Sequence, residues 1–483
     1  MSILRCIAVD LGAGSCRVSL AEWDGTTAKV RLLHRYSNGP VERDGHLRWR
    51  LDELCRGAQE GLRLGAERFL TGNETIHSVG VDGWAVDYVR LDEWGKPLGD
   101  PFCYRDARTE TAMPEVWECL SREHIYELTG IQFLRFNTLY QLYADRRDGV
   151  EPGARWLNIP EYMLHWLCGH EASTAVAEYT NSTHTQLVDA RTRNWCDEIF
   201  EKVGLDRSAA APIVPAGTRV GAVRGDVSSL AAYRGTQVTA PPCHDTGSAV
   251  AGIPDPGSDW AFISSGTWSL VGAVLDEPCT SAAALRENFT NEGGVGGTYR
   301  FLKNVNGMWL LEECLRHWKE SGKRSWTLPE LLVECERKPV PETVFNVDAP
   351  ELILPGDMPA KINRELEKTA HAPISVEAEN APEMANVIFA SLAARYAEVL
   401  RALREVTDRT FSRLYVVGGG SQNQHLNHLI AERTALEVIR GPVESSTNGN
   451  LAVQFASLES GSSALTRADV ARWAARLNST SPK

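Results

Sequence analysis

Apolar residues along this chain fall into short runs separated by small-residue turns, and one such arrangement occurs twice. Near the N-terminus, Leu4–Asp10 and Arg17–Trp23 read as two strands joined by Gly12-Ala13-Gly14-Ser15. Past the middle, Trp260–Ser264 and Trp268–Leu275 flank Ser265-Gly266-Thr267 in the same way. A third strand is expected around His46–Leu51, followed by a helix over Asp52–Phe69 that carries Leu54, Ala58, Leu62 and Ala66 on one stripe. Ile76–Asp82 reads as a short buried strand and Ala85–Leu91 as an alternating one. Strand, turn, strand, helix and buried strand together predict an α/β lobe around a mixed sheet.

The stretch from Asp106 to Asp206 reads as mostly helical and rich in aromatics, an insertion covering one face. Gly and Pro cluster between Gly252 and Asp259, which predicts one division of the chain into lobes 1–251 and 252–483. Beyond it, helices are expected at Asn304–Glu320, Glu383–Val406, Gln422–Thr434 and from Ser445 through Leu458. Strands are expected at Leu414–Val417 and Leu436–Ile439, while the polar tail after Glu459 reads as peripheral.

At 483 residues the chain is too long for one ordinary core, and its 43% apolar and 23% charged content is that of a globular protein. A net charge of −13 argues against a nucleic-acid partner. The eleven cysteines are scattered without a C-x-x-C pair, as in a protein whose thiols stay reduced. The N-terminal apolar run is short and ends in Asp10, so it reads as a strand, and no uncharged apolar run is long enough to span a bilayer. A cytoplasmic protein without a membrane partner is expected; oligomeric state is not legible.

Three nucleotide and metal motifs are missing. There is no G-x-x-x-x-G-K-[ST], and Arg17 stands where a third glycine would complete G-x-G-x-x-G. No Cys/His cluster suggests zinc. What remains is Asp10 at a strand end, a Gly/Ser loop and Arg17. This set suits a hydrated Mg²⁺ beside a phosphate, or else a tight hairpin whose glycines serve geometry alone. The second copy at Ser264–Thr267 favours phosphate. Asp245, in Pro242-Cys243-His244-Asp245-Thr246-Gly247-Ser248-Ala249, is either a base for a sugar hydroxyl or the N-cap of a small-residue helix. Gly418-Gly419-Gly420 is either an adenosine platform or a turn needing positive φ, and Trp84 either stacks on a sugar or fills the core.

Together, Asp10-Leu11-Gly12…Arg17, Ser265-Gly266-Thr267 and Gly418–Gly420 resemble the FGGY carbohydrate kinases. That resemblance implies an α/β fold of two ribonuclease-H-like, actin/hexokinase-type lobes with ATP in the cleft between them. Longer segments narrow the likeness to the members that phosphorylate L-rhamnulose at its 1-hydroxyl. They are Gly80–Asp87, Tyr104–Thr109, Thr129–Phe133, Phe136–Leu142, Glu178–Asn181, Thr290–Gly294 and Leu302–Leu311.

Site roles follow from the resemblance position by position. Ala13, Gly14, Ser15, Cys16 and Arg17 would form the first phosphate loop, with Thr267 facing the phosphates from the second lobe. Asp245 would be the general base, with His244 and Thr246 contacting the ketose. Ala85 beside Trp84 and the polar Asn304 would meet the sugar, and Glu312 and Gly419 would lie along the nucleotide. Ala85, Gly83 and Glu312 depart from the family's usual Gly, Thr and Gln. Cys16 replaces a small residue, which suggests sensitivity to thiol reagents. The rival readings are a kinase for fuculose, xylulose, ribulose or glycerol, or an ATPase of the superfamily with no sugar acceptor.

Overall fold

A computed structural model describes residues 3–70, 74–322, 324–461 and 464–479. The chain forms two compact units that interleave along the sequence, whereas the sequence reading divides it once at 251/252. The first comprises Met1–Pro256, Val274–Phe301 and Glu444–Lys483; the second comprises Gly257–Ala273 and Leu302–Val443.

In the first unit, β1 (Leu4–Leu11), β2 (Ser15–Trp23) and β3 (Ala28–Ser37) form an antiparallel meander. β4 (Ser78–Gly83) adds parallel to β1, with Asp10 opposite Asp82. β5 (Arg219–Ala222) and β6 (Gln237–Thr239) complete a six-stranded sheet of order β5-β6-β4-β1-β2-β3. β1 and β4 are buried along almost their whole length, as their continuous apolar sequences require of central strands.

The third strand lies at Ala28–Ser37, where none was expected. Its Lys29, Arg31, Arg35 and exposed Leu32 mark a charged sheet edge, which carries little apolar alternation to read. The strand expected over His46–Leu51 is only a three-residue rung, His46–Arg48, paired with Val41–Arg43. The helix after it runs Leu51–Leu64 and ends in a π-turn, Gly65–Phe69.

The second sheet repeats the plan. β7 (Trp260–Ser265) and β8 (Trp268–Leu275) form the hairpin, and β11 (Arg413–Val417) adds parallel to β7 and to β12 (Glu437–Arg440). With β9 (Thr290–Gly293) and β10 (Tyr299–Asn306), the order is β9-β10-β8-β7-β11-β12. β10 corrects the helix expected from Asn304. Buried Phe301 and Val305 alternate with half-buried Lys303, and the helix starts only at Trp309, after Gly307. A Cβ on Gly307 would stand 2.8 Å from the carbonyls of both Gly266 and Thr267, so the strand-to-helix corner closes directly on the hairpin.

The tail after Glu459 is a second correction. Arg467–Asn478 is a helix with a Thr466/Asp469 capping box, and it buries Val470, Trp473, Ala474 and Leu477 against Phe455 and Leu451. Charged residues on three sides of that narrow stripe hid it. Among the described residues no helix is long and apolar enough to cross a membrane, and all eleven cysteines are free.

Candidate active site

Parallel strands end together, and their C-terminal ends in the first unit carry Asp10 and Asp82, 2% and 0% exposed. Asp10 Oδ2 accepts hydrogen bonds from Ser446 Oγ at 2.6 Å and Thr447 Oγ1 at 3.2 Å, in the first turn of the helix Ser445–Ser460. Arg17 Nη2 stands 3.7 Å from the same oxygen, and Arg17 also pairs with Glu444. Asn450 donates to Asp82 Oδ1 at 3.0 Å, while Asp82 Oδ2 is buried without a hydrogen-bond partner. Burial, and then the charges of Asp10 and Asp245, push the Asp82 carboxyl well above the ordinary carboxylate range.

Asp245 opens the helix Asp245–Ala251 and is half-buried. It is not the N-cap: His244 holds that position, without a side-chain cap bond. Asp245 Oδ1 accepts from Thr246 N at 2.6 Å and Thr246 Oγ1 at 3.2 Å, and His244 Nε2 lies 3.4 Å away. Both flanking residues thus brace the carboxylate through one oxygen. Burial first, then the Asp10 charge, raise its pKa to about 6. Glu178 Oε2 accepts from Cys243 N at 2.9 Å and so anchors the preceding loop. Burial brings Glu178 to about 7 and, with Glu178's charge added, Glu161 to about 8.

Behind His244 lie three groups to which the sequence reading gave no role. Glu292, fully buried, has His184 Nε2 at 2.9 Å from Oε1 and Arg300 Nη1 at 2.9 Å from Oε2. Burial alone would raise its pKa; His184 and Arg300 instead hold it well below the usual range. Arg300 Nη2 also lies 3.1 Å from His244 Nδ1. A charged pair inside an otherwise ordinary strand pattern, Glu292 and Arg300, was the available signal.

Several of the segments that carry the resemblance, all within the first unit, meet in space. Asp87, fully buried, accepts from the indole N–H groups of Trp49 (2.6 Å) and Trp84 (3.1 Å), from Tyr104 N and from Gln141 Nε2. Thr138 Oγ1 donates to Val86 O at 2.8 Å, holding the β-branched Val86 at φ 72°, a left-handed conformation costing about 1–3 kcal/mol. Asn291 joins the Thr290 run to the Thr129 run through Gly130 O at 3.0 Å. Trp84 is 7% exposed and packs tilted against Trp49 with ring centroids 4.4 Å apart; Ala85, next to it, is equally buried.

In the first phosphate hairpin, Ala13 and Ser15 are half-buried and Gly14 is exposed, with nothing within 4 Å of where its Cβ would lie. Cys16 points inward, fully buried, and burial pushes its thiol up to about 12. The expectation of thiol sensitivity is therefore corrected: neither access nor thiolate is present.

In the second unit, Thr267 Oγ1 donates to Glu312 Oε2 at 3.5 Å, with Glu312 on the surface in the first turn of the helix Trp309–Glu320. The three glycines divide by geometry. A Cβ on Gly418 (φ 83°) would stand 2.8 Å from Ser265 O, and one on Gly420 2.0 Å from Ser265 Oγ, whereas Gly419 is exposed with open space around it. Gly418 and Gly420 let the turn approach the second hairpin, and Gly419 is left facing outward. Asn304 is half-buried on β10.

The oxygen ligands around Asp10 fit a divalent cation. Ser446, Thr447 and Arg17 all meet Asp10 at Oδ2, the Asp10 charge raises both Asp82 and Asp245, and Asp82 Oδ2 is buried without a hydrogen-bond partner. A hard oxygen site where the carboxylates of Asp10, Asp82 and Asp245 feel one another's charge suits hydrated Mg²⁺, and Asp10 is the residue that would hold it.

Residues 5–252 match the FGGY family of carbohydrate kinases, N-terminal domain, and residues 261–458 match the C-terminal domain of that family. Among solved structures, the chain is similar to a ligand-bound xylulose kinase from Lactobacillus acidophilus (TM-score 0.78, 14% identity), covering 97% of this chain and 92% of that one. It is also similar to a gluconate kinase from the same organism (TM-score 0.77, 14% identity, 98% and 92% covered). A Plasmodium falciparum glycerol kinase with ADP aligns at TM-score 0.72 and 14% identity over 97% and 92% of the two chains. At these identities the solved structures speak for the fold, which is that of two-domain α/β kinases with actin/hexokinase-like ATPase lobes. The matches to both family domains, spanning most of the sequence, place the chain in the FGGY family of carbohydrate kinases.

Proposed function

We propose that the chain transfers the γ-phosphoryl group of ATP to the 1-hydroxyl of L-rhamnulose, giving L-rhamnulose 1-phosphate and ADP. The observation that carries the chemistry is the bracing of Asp245. With Oδ1 held by Thr246 and faced by His244, Oδ2 is left for an acceptor hydroxyl. Asp245 takes the hydroxyl proton as the oxygen attacks the γ-phosphorus; the new O–P bond forms while the bond to the β-phosphate oxygen breaks. A pKa of about 6 leaves Asp245 largely ionised at pH 7 while making it a stronger base than an ordinary aspartate.

In this reading Ala13–Arg17 receive the phosphates through backbone N–H groups and the Arg17 guanidinium, with Thr267, Glu312 and Gly419 along the nucleotide. Mg²⁺ held at Asp10 would supply charge neutralisation at the phosphates. His244 and Thr246 flank the acceptor, with Trp84, Ala85 and Asn304 as further sugar contacts.

L-Rhamnulose is favoured by the segments that resemble the rhamnulose-phosphorylating members of the family. Gly80–Asp87, Tyr104, Thr129–Phe133, Phe136–Leu142 and Thr290–Gly294, far apart in sequence, are joined by hydrogen bonds through Asp87, Val86 and Asn291. The test is ADP release with L-rhamnulose, L-fuculose, D-xylulose, L-ribulose and glycerol, against a control without acceptor. The highest kcat/KM is expected with L-rhamnulose. A clear preference for another acceptor overturns the substrate assignment, and equal turnover without acceptor overturns the kinase reading.

A further inference from the structure

His244 is gripped at its far nitrogen by a group that can only donate. Arg300, 1% exposed, donates through Nε to Gly293 O at 2.8 Å, places Nη1 2.9 Å from Glu292 Oε2 and directs Nη2 at His244 Nδ1 at 3.1 Å. A guanidinium has no acceptor, so Nδ1 must be the unprotonated, accepting nitrogen. Glu292 Oε2, 3.5 Å from Nδ1, is the competing partner that would draw a proton there. Such a proton would face the closer guanidinium N–H, donor against donor. Burial, with His184 and Arg300 adding positive charge, brings the imidazole pKa down to about 3, so the ring is neutral and carries one proton. That proton therefore sits on Nε2, 3.4 Å from Asp245 Oδ1.

We propose that Arg300 is a positioning residue: by holding His244 as the Nε2–H tautomer, it determines which oxygen of Asp245 receives the substrate proton. Glu292 pairs with Arg300 at 2.9 Å through one carboxylate oxygen and with His184 at 2.9 Å through the other. The donor atoms of His184, His244 and Glu292 lie within 4.8 Å of one another, close enough for a metal ion. The guanidinium already stands in the place such a cation would take, 2.9 Å from the carboxylate and 3.1 Å from the imidazole. The inference rests on Asp245 as the general base for its kinetic consequence, but not for the tautomer itself.

The experiment is nitrogen-15 NMR of the free protein labelled at histidine, with His244 identified by the signals lost in His244→Gln. Protonated Nε2 and bare Nδ1 are expected, unchanged by a chelator. The opposite tautomer, or a spectrum altered by EDTA, overturns the proposal, and both are read on the wild-type protein. Arg300→Lys, which keeps a charged donor, should retain the tautomer and most activity. Arg300→Met should move the proton to Nδ1 and lower kcat about 10- to 100-fold with KM for ATP little changed. A folded Arg300→Met with the wild-type tautomer overturns the positioning role. A proton moved to Nδ1 in Arg300→Met with no kinetic loss there, and none in Asp245→Asn, would instead sink the reading of Asp245.

Discussion

Gly449→Ala should disable this enzyme without touching a single side chain of its site. Gly449 lies in the helix Ser445–Ser460 where that helix crosses Asp245–Ala251, and an added Cβ would sit 1.7 Å from Ser248 O, 2.6 Å from Ser248 C and 2.8 Å from Gly252 N. All three are backbone atoms, so no rotamer change relieves the overlap. A carbon-to-oxygen contact of about 3.3 Å requires the helices to part by roughly 1.5 Å. Overpacking commonly costs about 1–3 kcal/mol, and a backbone-on-backbone clash belongs at the upper end. The same shift moves the hydroxyls of Ser446 and Thr447 off Asp10 and the turn that carries Asp245, and misplacement of about 1 Å costs on the order of 10² in rate. Urea unfolding followed by circular dichroism, with kcat measured on the folded fraction, checks both. Gly39→Ala, where nothing lies within 4 Å, is the control and should stay within about 0.5 kcal/mol of wild type. A Gly449→Ala protein as stable and active as that control would refute the packing argument.

Three further outcomes are expected. kcat/KM for the sugar should fall about tenfold per pH unit below about 6, because Asp245 must be ionised, and level off above. A carboxyl raised in the native state stabilises most below its unfolded value and loses that contribution as pH climbs through 6. Asp245→Asn should therefore gain stability relative to wild type between about pH 4 and about pH 7 in thermal unfolding, and a constant difference would contradict the raised pKa. Gly420→Ala should destabilise the second hairpin, its Cβ falling 2.6 Å from Ser265 Cβ, while Gly419→Ala should fold normally and show its effect in KM for ATP. N-Ethylmaleimide should leave initial rates unchanged at pH 7.5, since Cys16 is inaccessible; rapid inactivation prevented by Cys16→Ala would contradict its burial.

The duplicated hairpins were legible because both carry the same chemistry at the same place, an apolar strand running into a Gly/Ser/Thr turn. Their central strands were legible for the same reason, being buried on both faces. β3 was not, because an edge strand needs no apolar face along its length and here carries Arg and Lys. Nor was the C-terminal helix, whose few core contacts are dispersed among charges. Within the site, Asp10, Asp245 and the glycine turn stood out by their position at strand ends. Glu292, Arg300 and His184 did not, because the Glu292–Arg300 pair gains its meaning from His244, 56 residues before Arg300, and from His184, 108 residues before Glu292, which no local pattern displays. The glycine triplet shows the reverse: the sequence marked all three alike, and only the position of Ser265 separates the two that geometry requires from the one that faces outward.

The central claim, phosphoryl transfer from ATP to a ketose with Asp245 as base, is tested most directly by Asp245→Asn. Steady-state ADP release with L-rhamnulose would be measured alongside calorimetric titration of ATP and of the sugar. The account predicts a kcat lowered on the order of 10²–10⁴-fold, with both ligands still binding near wild-type affinity. A variant that turns over at the wild-type rate would remove Asp245 from the mechanism.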